Sequence, residues 1–180
     1  MEQQYYTLEV AGLKRELPIC EVNEHLDIAA FVMFSDVELT IACAKEMNRI
    51  APEHDILLTA ESKGIPLAYE MSRQSGKNYL LARKSPKLYM KNAIKVEVKS
   101  ITTANIQALY IDETDIERLK GKRVLIVDDV VSTGESLSAM EALVSHTEGM
   151  VVGKMAVLAE GDAKERDDLI FLAPLPVFPK

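Results

Sequence analysis

The stretch that decides the fold is Val124-Leu-Ile-Val-Asp-Asp-Val-Val-Ser-Thr-Gly-Glu-Ser136. It begins within residues 123–127, an apolar run that is typical of a strand buried on both faces of a parallel sheet. Two adjacent acids follow, and a loop predicted over 128–134 leads into a helix predicted over 135–144. Ligands of open α/β sheets bind beyond the carboxyl ends of the strands. The stretch therefore predicts a strand, a binding loop and a helix, in that order.

The acid pair and the loop carry the polar chemistry of this stretch. A helix N-terminus has free backbone N–H groups, and with the hydroxyls of Ser132 and Thr133 beside them it can bind an anion. Gly134 lets the backbone come close to such an anion. The carboxylates of Asp128 and Asp129 can accept hydrogen bonds from ribose hydroxyls or help to hold a metal. One loop therefore offers a diol site beside a monophosphate site, which is the shape of a ribose 5-phosphate.

The same stretch can be compared with three other local patterns. A plain strand-turn-helix would use Ser132 or Thr133 only as an N-cap and would leave the acids solvated in the turn. A P-loop is excluded because the pattern G-x-x-x-x-G-K-[ST] is absent. A receiver domain also begins with apolar residues and two acids, but it needs more units than the chain after residue 136 can supply. The plain capping interpretation stays open at this point.

The rest of the chain alternates between strand and helix patterns. A capping box at Ser35 and Glu38 predicts a helix that ends at residues 51–52. Further helices are predicted at 26–34, 65–75 and 112–119, and strands at 5–10, 13–20, 55–60, 78–82, 93–99, 106–111, 150–159 and 169–172. Alternating strands and helices with continuously apolar strands predict an α/β fold with a mostly parallel twisted sheet flanked by helices. We expect one domain over residues 1–180.

Two segments depart from the parallel pattern. Residues 93–99 alternate strictly between apolar and polar side chains, which is typical of an antiparallel strand with one solvated face. Residues 106–111 are predicted to be its partner. The proline-rich segment 174–179 is predicted to be a tail that cannot be a helix.

Composition excludes several classes of protein. The chain has 180 residues, of which 48% are apolar and 27% charged, close to the average of globular domains. The longest apolar run, 28–34, is far too short to span a bilayer, and the first residues do not resemble a signal peptide. Cys20 and Cys43 do not form a metal-binding pattern, and we expect two reduced, largely buried thiols. These features predict a cytoplasmic protein that does not insert into a membrane.

Charge is distributed unevenly along the chain. The net charge of −7 argues against a nucleic-acid binder. Residues 77–99 nevertheless carry a net charge of +6, so the rest of the chain carries −13. Lys84, Lys87 and Lys91 flank Pro86 in a stretch without periodicity, which predicts a basic loop. A basic loop in an acidic protein indicates a small, highly anionic ligand.

Three motifs resemble those of the type I phosphoribosyltransferases. The stretch 124–136 is similar to the family's phosphoribosyl-pyrophosphate motif, in which two acids precede a short loop with Thr-Gly. Thr59-Ala-Glu-Ser-Lys-Gly-Ile-Pro66 lies where the family has its pyrophosphate loop. Leu81-Ala-Arg-Lys-Ser-Pro-Lys87 is similar to the Arg-Lys that opens the family's mobile active-site loop. The resemblance covers about residues 39–159 and is closest to the adenine and xanthine members.

The resemblance implies a fold, a reaction and a set of site residues. The implied fold adds an antiparallel mobile-loop hairpin and a small hood, at about 1–35 and 160–180. The implied reaction transfers ribose 5-phosphate from phosphoribosyl pyrophosphate to a purine base, with Mg²⁺ and release of pyrophosphate. Asp128, Asp129 and Lys84 are the implied catalytic residues, and the two acids would place the metal mainly indirectly. The implied 5-phosphate site is Val131, Ser132, Thr133, Gly134, Glu135 and Ser136, and the implied pyrophosphate site is Glu61, Ser62, Lys63, Gly64, Lys84 and Lys87.

One departure from the family leaves the base open. Adenine-specific members carry a glutamate in the mobile-loop region, whereas the matching stretch 99–105 has none and Glu97 sits in the alternating strand. Adenine is the favoured base, with xanthine, hypoxanthine or guanine as the alternative. Asn23, Asp27 and Glu160 are candidate polar contacts to the base.

A regulator and a dimer complete the expectations from the resemblance. Purine-responsive regulators with this fold carry a separate DNA-binding domain before the core, for which the 34 residues before the first capping box leave little room. We therefore favour the enzyme over the non-catalytic regulator.

Family members commonly pair, which implies a homodimer, and we expect the helix 65–75 in its interface. Tyr69, Met71 and Arg73 are candidates for the contact surface, while Leu67 and Ala68 are expected to face the core.

Overall fold

The computed structural model describes residues 3–99 and 106–180. The helices are α1 Val37–Ile50, α2 Ile65–Ser75, α3 Glu113–Leu119 and α4 Glu135–Ser145. The strands are β1 Tyr5–Val10, β2 Leu13–Asn23, β3 Leu26–Ala29, β4 Ile56–Ala60, β5 Asn78–Ala82, β6 Ile94–Lys99, β7 Ile106–Ile111, β8 Arg123–Val131, β9 Met150–Glu160, β10 Ile170–Leu175 and β11 Val177–Pro179.

The central sheet consists of parallel strands in the order β10-β9-β8-β4-β5. Side chains of β8 alternate between its two faces, so that Leu125 and Val127 join one core while Val124 and Ile126 join the other. Helices α1 and α2 cover the first face, and α4 covers the second together with the antiparallel pair β6–β7. This arrangement confirms the predicted α/β fold and explains why β4 is buried throughout and why residues 124–127 of β8 are apolar without interruption.

A second, antiparallel sheet joins the two ends of the chain in the order β1-β2-β3-β11. The predicted helix at 26–34 is wrong, because Leu26–Ala29 pairs as a strand with β2 on one side and β11 on the other. The predicted tail is not a helix, as expected, but Val177–Pro179 is a strand of this sheet. Both outcomes depend on pairing between segments that are distant in sequence, which local propensity cannot report.

The start of α1 differs by one residue from the predicted capping box. Asp36 is the N-cap, and its carboxylate accepts from the N–H of Leu39 at 3.1 Å. Ser35, the predicted cap, has a positive φ of 69°. The same Asp36 carboxylate accepts from Nε of Arg15 in β2 at 2.6 Å, so the cap also ties the antiparallel sheet to α1.

Strand β8 is longer than predicted. The acid pair was expected in a loop, yet Asp128 and Asp129 lie within β8, which runs to Val131. The reason is β9, whose eleven residues supply partners as far as Val131↔Ala159. The loop before α4 is therefore only residues 132–134.

Two smaller expectations can also be compared with the structure. Cys43 is buried, as expected. Cys20 is exposed, because it lies in β2 of the antiparallel sheet and does not belong to a core. Across residues 3–99 and 106–180, no helix combines the length and the apolar character that crossing a membrane requires.

Candidate active site

Three loops meet at the carboxyl edge of the central sheet because the strands before them are neighbours in the order β8-β4-β5. Residues 61–64 follow β4, residues 83–87 follow β5, and residues 132–134 follow β8. The first two loops border a cavity of about 430 Å³ through residues 61–63 and Lys84, and the opposite wall of this cavity comes from the antiparallel sheet. The lining includes Glu61, Ser62, Lys63, Lys84, Asp128, Asp129, Ser136, Glu160, Leu175 and residues 28–32.

The acid pair lies at the floor of this cavity. Asp129 is buried, with 4% of its surface exposed, and its N–H donates to Oδ1 of Asp128 at 2.9 Å. Burial, reinforced by repulsion from Asp129, raises the pKa of Asp128 well above its ordinary value, while the positive charge of Lys84 opposes the shift. A carboxyl group whose pKa is shifted by burial and a charged neighbour inside a cleft is typical of a functional site.

The donor set of the acid pair fits Mg²⁺. Oδ2 of Asp129 is buried without a hydrogen-bond partner among the described residues. Carboxylate oxygens are the ligands that Mg²⁺ prefers, and it is commonly held by one or two carboxylates together with substrate phosphates. In the described part of the chain, no group of three or more His, Cys, Asp or Glu side chains could hold a metal alone. Asp128 and Asp129 would therefore hold the ion together with oxygens of a bound ligand.

The loop 61–64 packs tightly against the acid pair. Ser62 and Lys63 are exposed to the cavity, whereas Gly64 is buried. A Cβ atom built on Gly64 would lie 3.1 Å from Oδ1 of Asp128 and would collide with Oγ1 of Thr59. The φ of Gly64 is −72°, which any residue can adopt. Glycine is therefore required here because a side chain would not fit, and not because of the backbone conformation.

The loop 132–134 forms a second, smaller cavity of about 150 Å³, which Asp128 and residues 130–137 line. The N-cap of α4 is Gly134 in the left-handed conformation, and no side chain of the described residues caps this helix. Ser132 and Thr133 are exposed, so the plain capping interpretation is wrong. The first-turn N–H groups of α4 and the two hydroxyls are available for an anion.

Arg166 is a neighbour of this loop that the sequence analysis missed. A Cβ atom on Gly134 would lie 3.2 Å from Cζ of Arg166 and would collide with Nη1. Asp168 holds the guanidinium by accepting from Nε at 2.9 Å and from Nη2 at 2.8 Å. Asp168 also accepts from Nζ of Lys154 at 2.6 Å, so two cations share one carboxylate. An Arg-x-Asp pair carries no motif, so no signal in the sequence identifies it.

The predicted basic residues take different positions. Lys84 lines the cavity, whereas Nζ of Lys87 donates to Oγ of Ser85 at 2.9 Å outside the lining. Adenine-specific members of the family carry a glutamate in the stretch that corresponds to 99–105. Residues 100–105 of that stretch lie outside the described residues. Glu97 pairs with Lys95 on the same strand.

Only one predicted base contact reaches the cavity. Glu160 lines it at the end of β9. Asn23 instead accepts from the N–H of His25 at 2.9 Å, and Asp27 pairs with Lys180 at 2.9 Å, so neither belongs to the lining. The apolar residues 28–32, which the sequence analysis assigned to a helix, form that wall instead.

Comparison with known proteins agrees with this geometry. The family model of the phosphoribosyl transferase domain matches residues 38–171. An adenine phosphoribosyltransferase of Natranaerobius thermophilus is 34% identical over 132 residues, which cover 73% of each protein. A hypoxanthine/guanine phosphoribosyltransferase of Methanococcus voltae is 29% identical over 134 residues, which cover 74% of this chain and 68% of that protein.

The fold is shared with solved structures over almost the whole chain. The crystal structure of an adenine phosphoribosyltransferase from Thermoanaerobacter pseudethanolicus matches with a TM-score of 0.68 over 95% of both chains, at 18% identity. A family model that spans most of the chain and a relative above 30% identity both point to the same family. The chain belongs to the phosphoribosyl transferase family.

Proposed function

We propose that this protein transfers ribose 5-phosphate from phosphoribosyl pyrophosphate to a purine base, giving the nucleoside monophosphate and pyrophosphate. One observation carries the proposal. Two adjoining cavities have Asp128 and Ser136 in common. They are bordered by the acid pair, by the loop 61–64 after β4 and by the uncapped N-terminus of α4. A ligand with a phosphate at one end, a diol in the middle and a diphosphate at the other end fits this sequence of groups.

The proposed roles follow from charge and hydrogen bonding. The 5-phosphate accepts from the N–H groups of residues 134–136 and from the hydroxyls of the loop. Asp128 and Asp129 accept from the ribose hydroxyls, and their negative charge stabilises the positive charge that develops on the sugar as pyrophosphate leaves. Lys63 and Lys84 bind the pyrophosphate oxygens. Mg²⁺, held by the acid pair and the ligand, would neutralise part of the charge on the leaving group.

Adenine is the proposed base, and guanine, hypoxanthine or xanthine is the alternative. A relative named as an adenine enzyme supports adenine, and one named as a hypoxanthine/guanine enzyme supports hypoxanthine or guanine. The base would lie between the acid pair and the wall formed by residues 28–32, with Glu160 as a polar neighbour. The free thiols Cys20 and Cys43 fit a reducing compartment, which supports the predicted cytoplasmic location.

A turnover assay tests the proposal directly. The protein is incubated with phosphoribosyl pyrophosphate, Mg²⁺ and each purine base in turn, and pyrophosphate release is measured. We expect turnover with at least one base, and the double variant Asp128→Asn, Asp129→Asn should be slower by about 100-fold or more while remaining folded, because preorganised charge is lost. Near-normal turnover in that variant would contradict the assignment. Tight binding of phosphoribosyl pyrophosphate without turnover of any base would favour the non-catalytic regulator.

A homodimer is also part of the proposal. Arg73 pairs with Glu70 at 2.7 Å and Met71 is fully buried, so Met71 belongs to the core rather than to a contact surface. Tyr69 is 57% exposed and borders an apolar groove between α1 and α2. Val37 and Ile41 of α1 are also exposed there, and the three side chains form a surface that a second copy of the chain would cover.

A further inference from the structure

The carboxylate of Glu61 lies among the cations of the segment 83–87. Its Oε2 accepts from the N–H of Lys84 at 2.8 Å. Its Oε1 lies 3.1 Å from Nη2 of Arg83 and 3.9 Å from Nζ of Lys87. The Glu61 side chain is 20% exposed, so these contacts are partly shielded from water. Three groups from one short segment thus converge on one carboxylate at the rim of the cavity.

A direct contact between Glu61 and pyrophosphate conflicts with its charge. The family resemblance implies that Glu61 belongs to the pyrophosphate site with its neighbours Ser62 and Lys63. A carboxylate has only acceptor oxygens, and so has a diphosphate, so the two groups repel each other. Any favourable effect of Glu61 on that ligand must therefore pass through the cations that it holds.

The backbone around Glu61 shows what the carboxylate adds. The N–H of Glu61 donates to the carbonyl of Ala82 at 2.9 Å, and Arg83 exchanges two hydrogen bonds with Tyr110 of β7, at 2.9 and 2.8 Å. These bonds between strands end at Arg83. Lys84 is the next residue, and the acceptor of its N–H is the Glu61 side chain. The carboxylate thus extends the ordered backbone by one residue.

Lys84 is the residue whose position matters most for the acid pair. Its side chain lines the same cavity as Asp128, and its charge lowers the pKa of that carboxyl against the effect of burial. Because the side chain begins at the Cα atom, the backbone at Lys84 sets which oxygens the ammonium group can reach. Anchoring that backbone therefore sets the distance between the cation and the leaving group.

We propose that Glu61 is a positioning residue, whose carboxylate anchors the main chain of Lys84 so that the ammonium group faces the acid pair and the pyrophosphate. This inference rests on the proposed function. Arg83 holds the carboxylate in place from the other side, at 3.1 Å. Lys87, at 3.9 Å, makes the weakest of the three contacts with Glu61. A bound diphosphate would therefore draw Lys87 away from Glu61 more easily than the other two groups.

Two substitutions separate the anchor from the charge. Glu61→Gln keeps an acceptor oxygen at the same reach but removes the charge. Glu61→Asp keeps the charge but draws the oxygen back by one methylene group, beyond hydrogen-bond distance of the Lys84 N–H. We expect Glu61→Asp to weaken binding of magnesium pyrophosphate about tenfold or more, as the loss of one charge-assisted hydrogen bond would. We expect Glu61→Gln to stay within about threefold of the unmodified protein, since the anchoring bond remains.

Calorimetry with magnesium pyrophosphate measures these affinities without requiring turnover. Hydrogen exchange at the Lys84 amide is the second readout, and it should accelerate in Glu61→Asp but not in Glu61→Gln. In the turnover assay, Glu61→Asp should raise KM for phosphoribosyl pyrophosphate and leave KM for the base unchanged. Glu46→Ala is the matched control, because Glu46 also pairs with an arginine, at 2.9 Å, but lies on α1 away from the cavity.

Each outcome decides between the alternatives. Loss in Glu61→Gln with retention in Glu61→Asp would show that charge matters rather than reach, and would overturn the anchoring role. Unchanged or tighter binding in both variants would overturn it as well. If the unmodified protein binds pyrophosphate but turns over no purine base, the proposed reaction fails while the anchoring role is still decided by the binding and exchange measurements.

Discussion

Asp128 shows how one residue combines a cost in stability with a proposed role in binding. Burial and the charge of Asp129 raise the pKa of its carboxyl group. In the free protein Asp128 therefore keeps its proton at pH values at which a solvent-exposed aspartic acid would be ionised. Gly64 packs against the same carboxyl, which keeps water away from it. A metal or ligand that brings positive charge would favour the ionised carboxylate, so its binding would release this proton.

Asp128→Asn should stabilise the free protein, and the gain should grow with pH. Because the folded pKa lies above the unfolded one, the folded state binds more protons at pH values between the two. Its unfolding free energy therefore falls as the pH rises from about 4 towards neutrality. The asparagine removes this dependence, and at pH 7 we expect a gain of at least about 1 kcal/mol, the equivalent of one pKa unit. Urea unfolding at pH 5 and pH 7, without metal or ligand, measures it. A variant that is equally destabilised at both values would contradict the assignment.

Gly134→Ala should weaken binding of phosphoribosyl pyrophosphate. Gly134 has a φ of 80°, and a Cβ atom there would meet the guanidinium of Arg166. The positive φ costs an alanine on the order of 1 kcal/mol, and the collision displaces either Arg166 or the loop. We expect KM for phosphoribosyl pyrophosphate to rise about tenfold or more, with KM for the base unchanged.

Gly12→Ala is the matched control for this substitution. Gly12 has a φ of 76° in the turn between β1 and β2, and nothing lies within 4 Å of a Cβ atom built on it. The control carries the same backbone strain and should lose stability while keeping both KM values. Equal changes in the two Michaelis constants of Gly134→Ala would indicate that the loop is only structural.

At the scale of elements, two helix N-termini at the carboxyl edge of the sheet are set by glycine for different reasons. Gly64 precedes α2 with an ordinary φ, and its missing side chain makes room for Thr59 and Asp128. Gly134 precedes α4 with a positive φ and makes room for Arg166. In both places the absence of a Cβ atom brings a loop against charged side chains, which is what the proposed ligand requires.

The basic segment 84–92 should become ordered when ligand binds. It joins β5 to β6 without regular structure, and its side chains Leu88 and Tyr89 are exposed to solvent. Lysines in this segment would be drawn to a diphosphate in the cavity, and closure would exclude water from the reacting atoms. Hydrogen exchange over residues 83–92 should slow by about tenfold or more with saturating phosphoribosyl pyrophosphate and Mg²⁺. Unchanged exchange under those conditions would count against a lid.

At the scale of the whole molecule, the cavity lies between two sheets of different character. The parallel sheet carries the acid pair and the loops at its carboxyl edge. The antiparallel sheet is built from both ends of the chain. Residues 28–32, which begin within its strand β3, form the opposite wall of the cavity. Arg15 and Asp36 tie the two parts together at 2.6 Å. The chain ends therefore decide the shape of the proposed base site, although the charged residues of the proposed reaction lie in the middle of the sequence.

The apolar surface around Tyr69 predicts a two-fold dimer. Sedimentation at micromolar concentration should give about 40 kDa, twice the mass of the 20.0 kDa chain. Tyr69→Glu should shift the protein towards the monomer, because it places a charge in the contact. Tyr5→Glu is the control, since Tyr5 and Tyr69 are both 57% exposed and Tyr5 lies on the antiparallel sheet. A fully active monomer of the unmodified chain would overturn the dimer.

Local pattern was enough for most of the central domain. Apolar runs bounded by turn residues predicted β4 and β5, and the helix α2 was predicted with the bounds that the structure has, up to its glycine cap. The acid pair and the loop before α4 could be identified because strand, acids, Thr-Gly and helix are contiguous in the chain. In all these cases the signal lies within a few residues of the structure that it reports.

Tertiary structure alone decided the features that depend on distant partners. Residues 26–29 are a strand because Val177–Pro179, at the other end of the chain, pairs with them. The acids lie inside β8 because β9 is long enough to pair with them. The Glu61 carboxylate accepts from the N–H of Lys84 because β4 and β5 are neighbours in the sheet. Each of these contacts forms between segments that only the folded chain brings together, and a side chain's identity does not report what it will meet there.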